Sequence, residues 1–246
     1  MRCQPHRNYQ VYIWLKNKQS CLLCDDATDT TFPICTACET ELPWLGDQCQ
    51  QCALPLAMSG LSCAQCVLHP PAFDEVAAPW LYQFPVDSLI TRFKHQGNWP
   101  MGRLMAQLLG QFLQHRFDED LPRPDVLLPV PLATKRLRQR GYNQAAMLAD
   151  WLGTQLQLPV EDRLVLRTME TPAQQGLDAK ARKRNLRGAF ALADEEKIKG
   201  KHVALVDDVL TTGSTTDVIA RLLNKAGARR VDVYCLARTP KPGEHP

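Results

Sequence analysis

The sequence predicts an α/β fold: a largely parallel sheet flanked by helices and preceded by a small cysteine-rich module. Two observations carry that prediction. Short apolar runs of strand length alternate with helix-period segments from residue 101 onward, and eight of the ten cysteines crowd into residues 21–66. The charge divides along the same line. Residues 1–80 hold 4 Lys/Arg against 8 Asp/Glu, and residues 81–246 hold 25 against 18, so the basic character belongs to the larger part. With 45% hydrophobic and 22% charged residues and a net charge of +3, the chain is neither disordered nor a general polycation.

The cysteine module comes first. Cys21/Cys24, Cys35/Cys38, Cys49/Cys52 and Cys63/Cys66 form four Cys-x-x-Cys pairs at a strict period of 14. A two-residue gap lets one tight turn present both thiolates to a single ion, and two such turns complete a tetrahedral all-cysteine zinc site. Eight ligands predict two structural Zn2+ ions. Local closure costs the least chain entropy, so Cys21, Cys24, Cys35 and Cys38 are expected to share one ion and Cys49, Cys52, Cys63 and Cys66 the other, with a crossed pairing as the alternative.

A disulfide scaffold would need secretion. The apolar run of residues 11–15 is too short for a signal-peptide core, and no run approaches the ~18–20 residues of a membrane span. A cytoplasmic protein is expected, where paired cysteines are metal ligands before they are disulfides. A redox pair would need one motif beside a βαβ unit, not four in a row. The module also has few large apolar side chains, so metal must hold it together. Cys3 and Cys235 fall outside the period and read as free thiols, Cys235 within a core strand.

His69-Pro70-Pro71 breaks the pattern. The expected division is an extension at 1–20, a double zinc ribbon at 21–72, an α/β domain at 73–240 and a tail at 241–246. In that domain residues 101–116 carry Leu104, Met105, Leu108, Leu109, Phe112 and Leu113 at helical spacing, and residues 125–130 are a buried-strand run. Residues 144–156 return to helical period and 201–206 are strand-like. Residues 215–226 are a helix stopped by Gly227, and 230–236 are a strand. Residues 73–100 read either as a hood over the site or as a linker.

Ligands in such sheets bind beyond the carboxyl ends of strands. There the segment Val203-Ala-Leu-Val-Asp207-Asp208-Val-Leu-Thr211-Thr212-Gly213-Ser214-Thr215 stands out. Small residues and Gly213 let the backbone approach an anion, and the helix that follows offers its positive end. Hydroxyls of Thr211, Thr212, Ser214 and Thr215 add donors. Asp207 and Asp208 suit a sugar diol, directly or through Mg2+. The plain alternative is a strand end and a helix cap, with Asp217 completing a capping box. Caps alone do not require paired carboxylates before a Thr-Thr-Gly-Ser-Thr loop.

These residues resemble the phosphoribosyl-pyrophosphate signature of type I phosphoribosyltransferases. The resemblance implies ribose contacts for Asp207 and Asp208 and a 5′-phosphate held by Thr211–Thr215. Further stretches are similar to the ComF family, competence-associated proteins of the same type with an amino-terminal zinc ribbon. These are Phe93-Lys94-His95-Gln-Gly97, Pro129-Val-Pro-Leu132, Lys135 through Gln144, and residues 167–190 with Thr171, Gln174, Leu177, Arg182, Asn185 and Phe190.

Lys135, Arg136, Arg138 and Arg140 follow a strand end and are candidates for pyrophosphate or DNA contact, Lys135 and Arg136 nearest the strand. A second basic cluster, Lys180, Arg182, Lys183, Arg184 and Arg187, falls in a segment resembling the family's mobile flap. Tyr142 beside the first cluster offers a ring on which a base can stack. The six histidines show no ligand spacing and are assigned to surfaces or helix ends.

The resemblance implies a phosphoribosyl-pyrophosphate-binding protein of DNA uptake or utilisation, with single-stranded DNA and DNA-uptake proteins as partners. The alternative is an active phosphoribosyltransferase on an unknown acceptor.

Overall fold

The computed structural model describes residues 19–28, 30–58, 60–168 and 188–241. They fall into two compact units, one ending at Leu42 and the other beginning at Pro43. The first unit carries Cys21–Cys38 and one short helix, α1 (Thr36–Thr40). Its buried apolar residues are few, Cys21 and Ile34 among them.

The second unit is built on a five-stranded sheet, all of whose pairings are parallel. β1 (Glu75–Ala77) and β2 (Trp80–Leu81) pair along one side of β7 (Arg230–Arg238). β6 (His202–Leu210) pairs with the other side of β7, and β3 (Val126–Pro129) closes the order. Parallel strands covered on both faces read as continuous apolar runs, and β3 and residues 202–206 of β6 are buried without interruption. Of residues 73–100, read either as a hood or as a linker, β1 and β2 belong to the main sheet.

The helices are α2 (Ala64–Leu68), α3 (Val86–Gln96), α4 (Trp99–Glu119), α5 (Thr134–Arg140), α6 (Gln144–Leu156) and α7 (Ser214–Lys225). Asn98 starts α4 by accepting from the Met101 N–H, with Pro100 in the first turn, where its missing donor costs nothing. Asn143 starts α6 in the same way by accepting from Ala145. The apolar stripe Leu104, Met105, Leu108, Leu109 and Leu113 of α4 packs toward α6, which lies on β3 and β6. A separate antiparallel pair, β4 (Val165–Arg167) with β5 (Phe190–Leu192), brackets residues 169–187. The flap and its basic cluster lie outside the described residues, as does Cys3.

The second ribbon is part of this unit. The chain entering it is bridged to β2 through Trp44 and Trp80, and Leu45 N–H donates to Pro79 O at 2.7 Å. Ala53 and Phe73 belong to the same buried cluster as Val203, Leu205 and Val233.

One histidine departs from its assignment. His202 is 1% exposed, not at the surface, with Nε2 2.7 Å from Asp232 Oδ2. Parallel pairing with the long β7 covers it, because both strands are interior. Arg230 bridges Asp232 and Glu75, each at 2.9 Å, and Arg116 reaches Glu75 at 2.8 Å. This network closes the amino-terminal end of the sheet, opposite the end where β6 carries its acid pair.

Candidate ligand cleft and metal centres

The cysteines gather as two groups of four, Cys21, Cys24, Cys35 and Cys38, and Cys49, Cys52, Cys63 and Cys66. Within each group the sulfurs lie within 4.8 Å of one another. The local surroundings favour thiolate at particular positions. Burial works against the Cys21 thiolate, but the backbone N–H groups of Cys35, Cys24 and Leu23 outweigh it and bring the thiol down to about 6. Burial likewise opposes Cys49, and the N–H groups of Cys63, Cys52 and Gln51 bring it down to about 7. Burial and the adjacent sulfurs push Cys38 and Cys66 up. Four mutually repelling thiolates in so small a space need a dication. The residues fit closed, structural Zn2+ sites with no position left for catalysis. Cys235 is different: fully buried, its thiol is pushed up to about 12 by burial and by Asp207, as suits an inert core residue.

The second unit holds a cleft of about 1690 Å³, above the ~300–1,000 Å³ of ordinary small-molecule sites. One wall is the loop Thr211, Thr212, Gly213 and Ser214. A second is the carboxyl end of α3 from Lys94 to Gly97, with Arg136, Gln139 and Arg140 of α5. A third is the second ribbon, through Cys52, Cys63, Cys66 and Leu68, and the Pro70-Pro71 turn.

The loop turns on its glycine. Gly213 adopts φ 70°, a left-handed conformation that other residues adopt with strain, and it turns the chain into α7. Its N-cap, Gly213, offers no capping side chain, and the Ser214 N–H donates to Thr212 Oγ1 at 3.4 Å. The Asp217 carboxylate accepts from Ala72 N–H at 2.8 Å and from Arg221. Thr212 Oγ1 and Ser214 Oγ are 2.9 Å apart and face the cleft together. Thr215 is not among the lining residues.

β6 runs further than its apolar run suggests. β7 continues to Arg238 and keeps pairing with β6 through Leu210, so Asp207 and Asp208 lie within the strand. β3 stops opposite Val206, which leaves the other edge of β6 open at the acid pair. The Asp208 N–H donates to Asp207 Oδ1 at 2.8 Å. Burial and the Asp208 charge push the Asp207 carboxyl up to about 7. Neither aspartate lines the cleft directly. Lys94, which does, holds Asp208 Oδ1 at 2.8 Å.

The basic segment is a helix. Along α5, Arg136 and Arg140 are one turn apart and line the cleft, whereas Lys135 and Arg138 do not. Burial, with the Arg140 and Lys94 charges, holds His95 below its ordinary range.

Lys94 has no role assigned from sequence, and Tyr142, offered there as a stacking ring, lines the cleft. Tyr142 donates to the Phe93 carbonyl, and its ring packs 6.0 Å from Phe93 and 6.3 Å from Trp99. Gln144, 1% exposed, donates to Lys94 O at 3.3 Å and accepts from Arg140 at 3.1 Å. The Phe93-Lys94 and Tyr142-Asn-Gln144 segments are thus stitched together and aim Lys94 and Arg140. The signal available was polar residues next to apolar runs, which does not reveal which segments meet.

Comparison with known proteins agrees in kind. A phosphoribosyl transferase domain model matches residues 145–246, and a double zinc ribbon domain model matches residues 18–67. The chain is 36% identical over 210 residues to competence protein F of Haemophilus influenzae, covering 85% of this chain and 86% of that one. It is 37% identical over 171 residues to the DNA utilization protein YhgH of Escherichia coli strain K12, covering 69% and 74%. It is 28% identical over 165 residues to competence protein ComFC of Bacillus subtilis, covering 65% and 62%.

Proposed function

The chain belongs to the ComF family, that of competence protein F and the DNA utilization proteins, and on that footing we propose that it binds phosphoribosyl pyrophosphate with Mg2+ and acts in the uptake or use of DNA. One observation carries the ligand assignment. At the carboxyl end of β6 an acid pair precedes a helix start that turns on Gly213 and is rich in hydroxyls, and Arg136 and Arg140 stand on another wall of the same cleft. Backbone N–H groups and hydroxyls from Thr211 to Thr215 would take the 5′-phosphate. Asp207 and Asp208 would accept from the ribose hydroxyls once Lys94 turns from Asp208 toward the ligand's phosphates. The arginine forks of Arg136 and Arg140 match pyrophosphate oxygens.

The acid pair is also an all-oxygen donor set of the kind Mg2+ takes alongside substrate phosphates. When bound, the ion would neutralise charge building on pyrophosphate. Calorimetric titration of phosphoribosyl pyrophosphate with Mg2+ tests the assignment: saturable one-to-one binding is expected, and no heat over the millimolar range would refute it.

Binding is our primary reading, with transfer to an acceptor as the alternative. Incubation with Mg2+, the ligand and a panel of bases and single-stranded DNA separates the two, because released pyrophosphate would establish transfer.

The DNA reading is supported by the family and by Lys135 and Arg138 of α5, two cations outside the cleft lining. Single-stranded DNA should bind with strong salt dependence, each phosphate contact contributing ~0.7 to the slope of log affinity against log salt. Lys135→Ala with Arg138→Ala should flatten the slope by about one to two units. Affinity indifferent to salt and to both changes would reduce these cations to a solvated face.

A further inference from the structure

The second ribbon and the phosphate loop share one side chain. Arg238 ends β7 and is 6% exposed, although it carries a full charge. Among the described residues its partners are backbone carbonyls and the Thr239 hydroxyl. Nε donates to Cys52 O at 2.8 Å. Nη1 donates to Leu210 O at 3.1 Å, to Thr239 O at 2.8 Å and to Thr211 O. Cys52 is one of the four sulfurs of the second cluster, and Leu210 and Thr211 are the hinge from which the phosphate loop departs. One guanidinium therefore ties the metal knuckle's backbone to the loop's first carbonyls.

Two more links run alongside. Asp217 and Asn224 of α7 clip Ala72, which follows the ribbon, at 2.8 and 2.7 Å. Phe73 lies against the loop glycine, its ring 3.6 Å from where a Cβ on Gly213 would stand. The charge logic agrees. Four thiolates on one Zn2+ leave an excess of negative charge, and Arg238 brings a cation to the Cys52 backbone. Burying that cation is expensive unless something nearby repays it.

We propose that Arg238 is a positioning residue that couples the second zinc site to the phosphate loop, so that zinc at Cys49, Cys52, Cys63 and Cys66 and a phosphoribosyl ligand favour each other's binding. The proposal rests on the ligand reading above. Zinc fixes the Cys52 carbonyl, the carbonyl fixes the guanidinium, and the guanidinium fixes the loop entrance. Linkage then requires the reverse: an ordered loop must hold the zinc more firmly.

The test follows zinc release to a chromogenic chelator, with and without saturating phosphoribosyl pyrophosphate and Mg2+. In the unaltered protein the ligand should slow departure of one of the two zinc ions by about fivefold, the low end of ordinary couplings, and leave the other unchanged. In Arg238→Lys, which retains charge but cannot span both sets of carbonyls, both ions should leave at rates independent of ligand. The variant's fold is checked by its zinc content and unfolding midpoint, and the unaltered protein decides the matter should the variant misfold. If calorimetry shows binding but the ligand slows neither zinc, or if Arg238→Lys keeps the full effect, the coupling is wrong and the ligand reading stands. If the unaltered protein binds no ligand, both fall.

Discussion

Replacing Asp207 and Asp208 together with asparagine is expected to weaken phosphoribosyl pyrophosphate by about a hundredfold or more without unfolding the domain, at ~1.5–3 kcal/mol for each charge-assisted bond lost. The sign of the stability effect follows from the environment. Asp207 is an acid whose folded-state value is pushed up to about 7, so its charged form is disfavoured in the native protein. What it contributes is fully present below the ordinary carboxylate value and is lost as pH rises through the folded one. Asparagine carries no charge to bury, so at neutral pH the double variant should melt no lower on account of Asp207. Asp208 loses Lys94 as a partner, a cost limited because both groups keep some solvent contact. Calorimetry for affinity and thermal unfolding for stability separate the two effects. Unchanged affinity in a folded variant would remove the acid pair from the site.

The fold was legible where one period dominated a whole segment. The helical stripe of residues 144–156 needs no partner to be seen, and α6 spans those residues. β6 extends past its apolar run because β7, twenty-eight residues further along, continues to pair with it, which a local pattern cannot reveal. α5 has a single large apolar residue, Leu137, in seven, so nothing in its sequence shows a helical face and it reads as a basic loop. That difference changes the site: helical spacing brings Arg136 together with Arg140, where chain order would pair Lys135 with Arg136.

The residues of the acid pair and the threonine loop were visible because they are contiguous. Lys94 on Asp208 and Arg238 on Cys52 were not, being 114 and 186 residues apart. Long-range contacts of lone charged side chains leave no periodic trace.

Removing zinc should produce the largest change of all, and an uneven one. Metal analysis is expected to give two zinc ions per chain, with chelation abolishing hydrogen-exchange protection throughout residues 19–42. Among that unit's described residues the buried apolar side chains are only Cys21, Ile34 and Leu42, and each fully buried one supplies only ~1.5–3 kcal/mol. A structural zinc supplies about 10–16 kcal/mol of apparent binding energy, which in so small a unit is the folding energy itself. The second ribbon should behave differently. Ala53 and Phe73 are buried within the sheet's core, Trp44 packs 5.6 Å from Trp80, and Arg238 grips the Cys52 carbonyl. Its knuckles, whose buried cluster is little more than Cys49, Leu54, Cys63 and Cys66, should open on chelation, while the flanking residues 43–45 and 72–81 stay protected by β2 and β7. The sheet, whose core of valine and leucine owes nothing to metal, should keep its slowest-exchanging amides in β6 and β7. Zero or one zinc per chain, or disulfides among Cys21–Cys66, would contradict the metal assignment. Equal loss of protection in both ribbons would contradict the anchoring of the second.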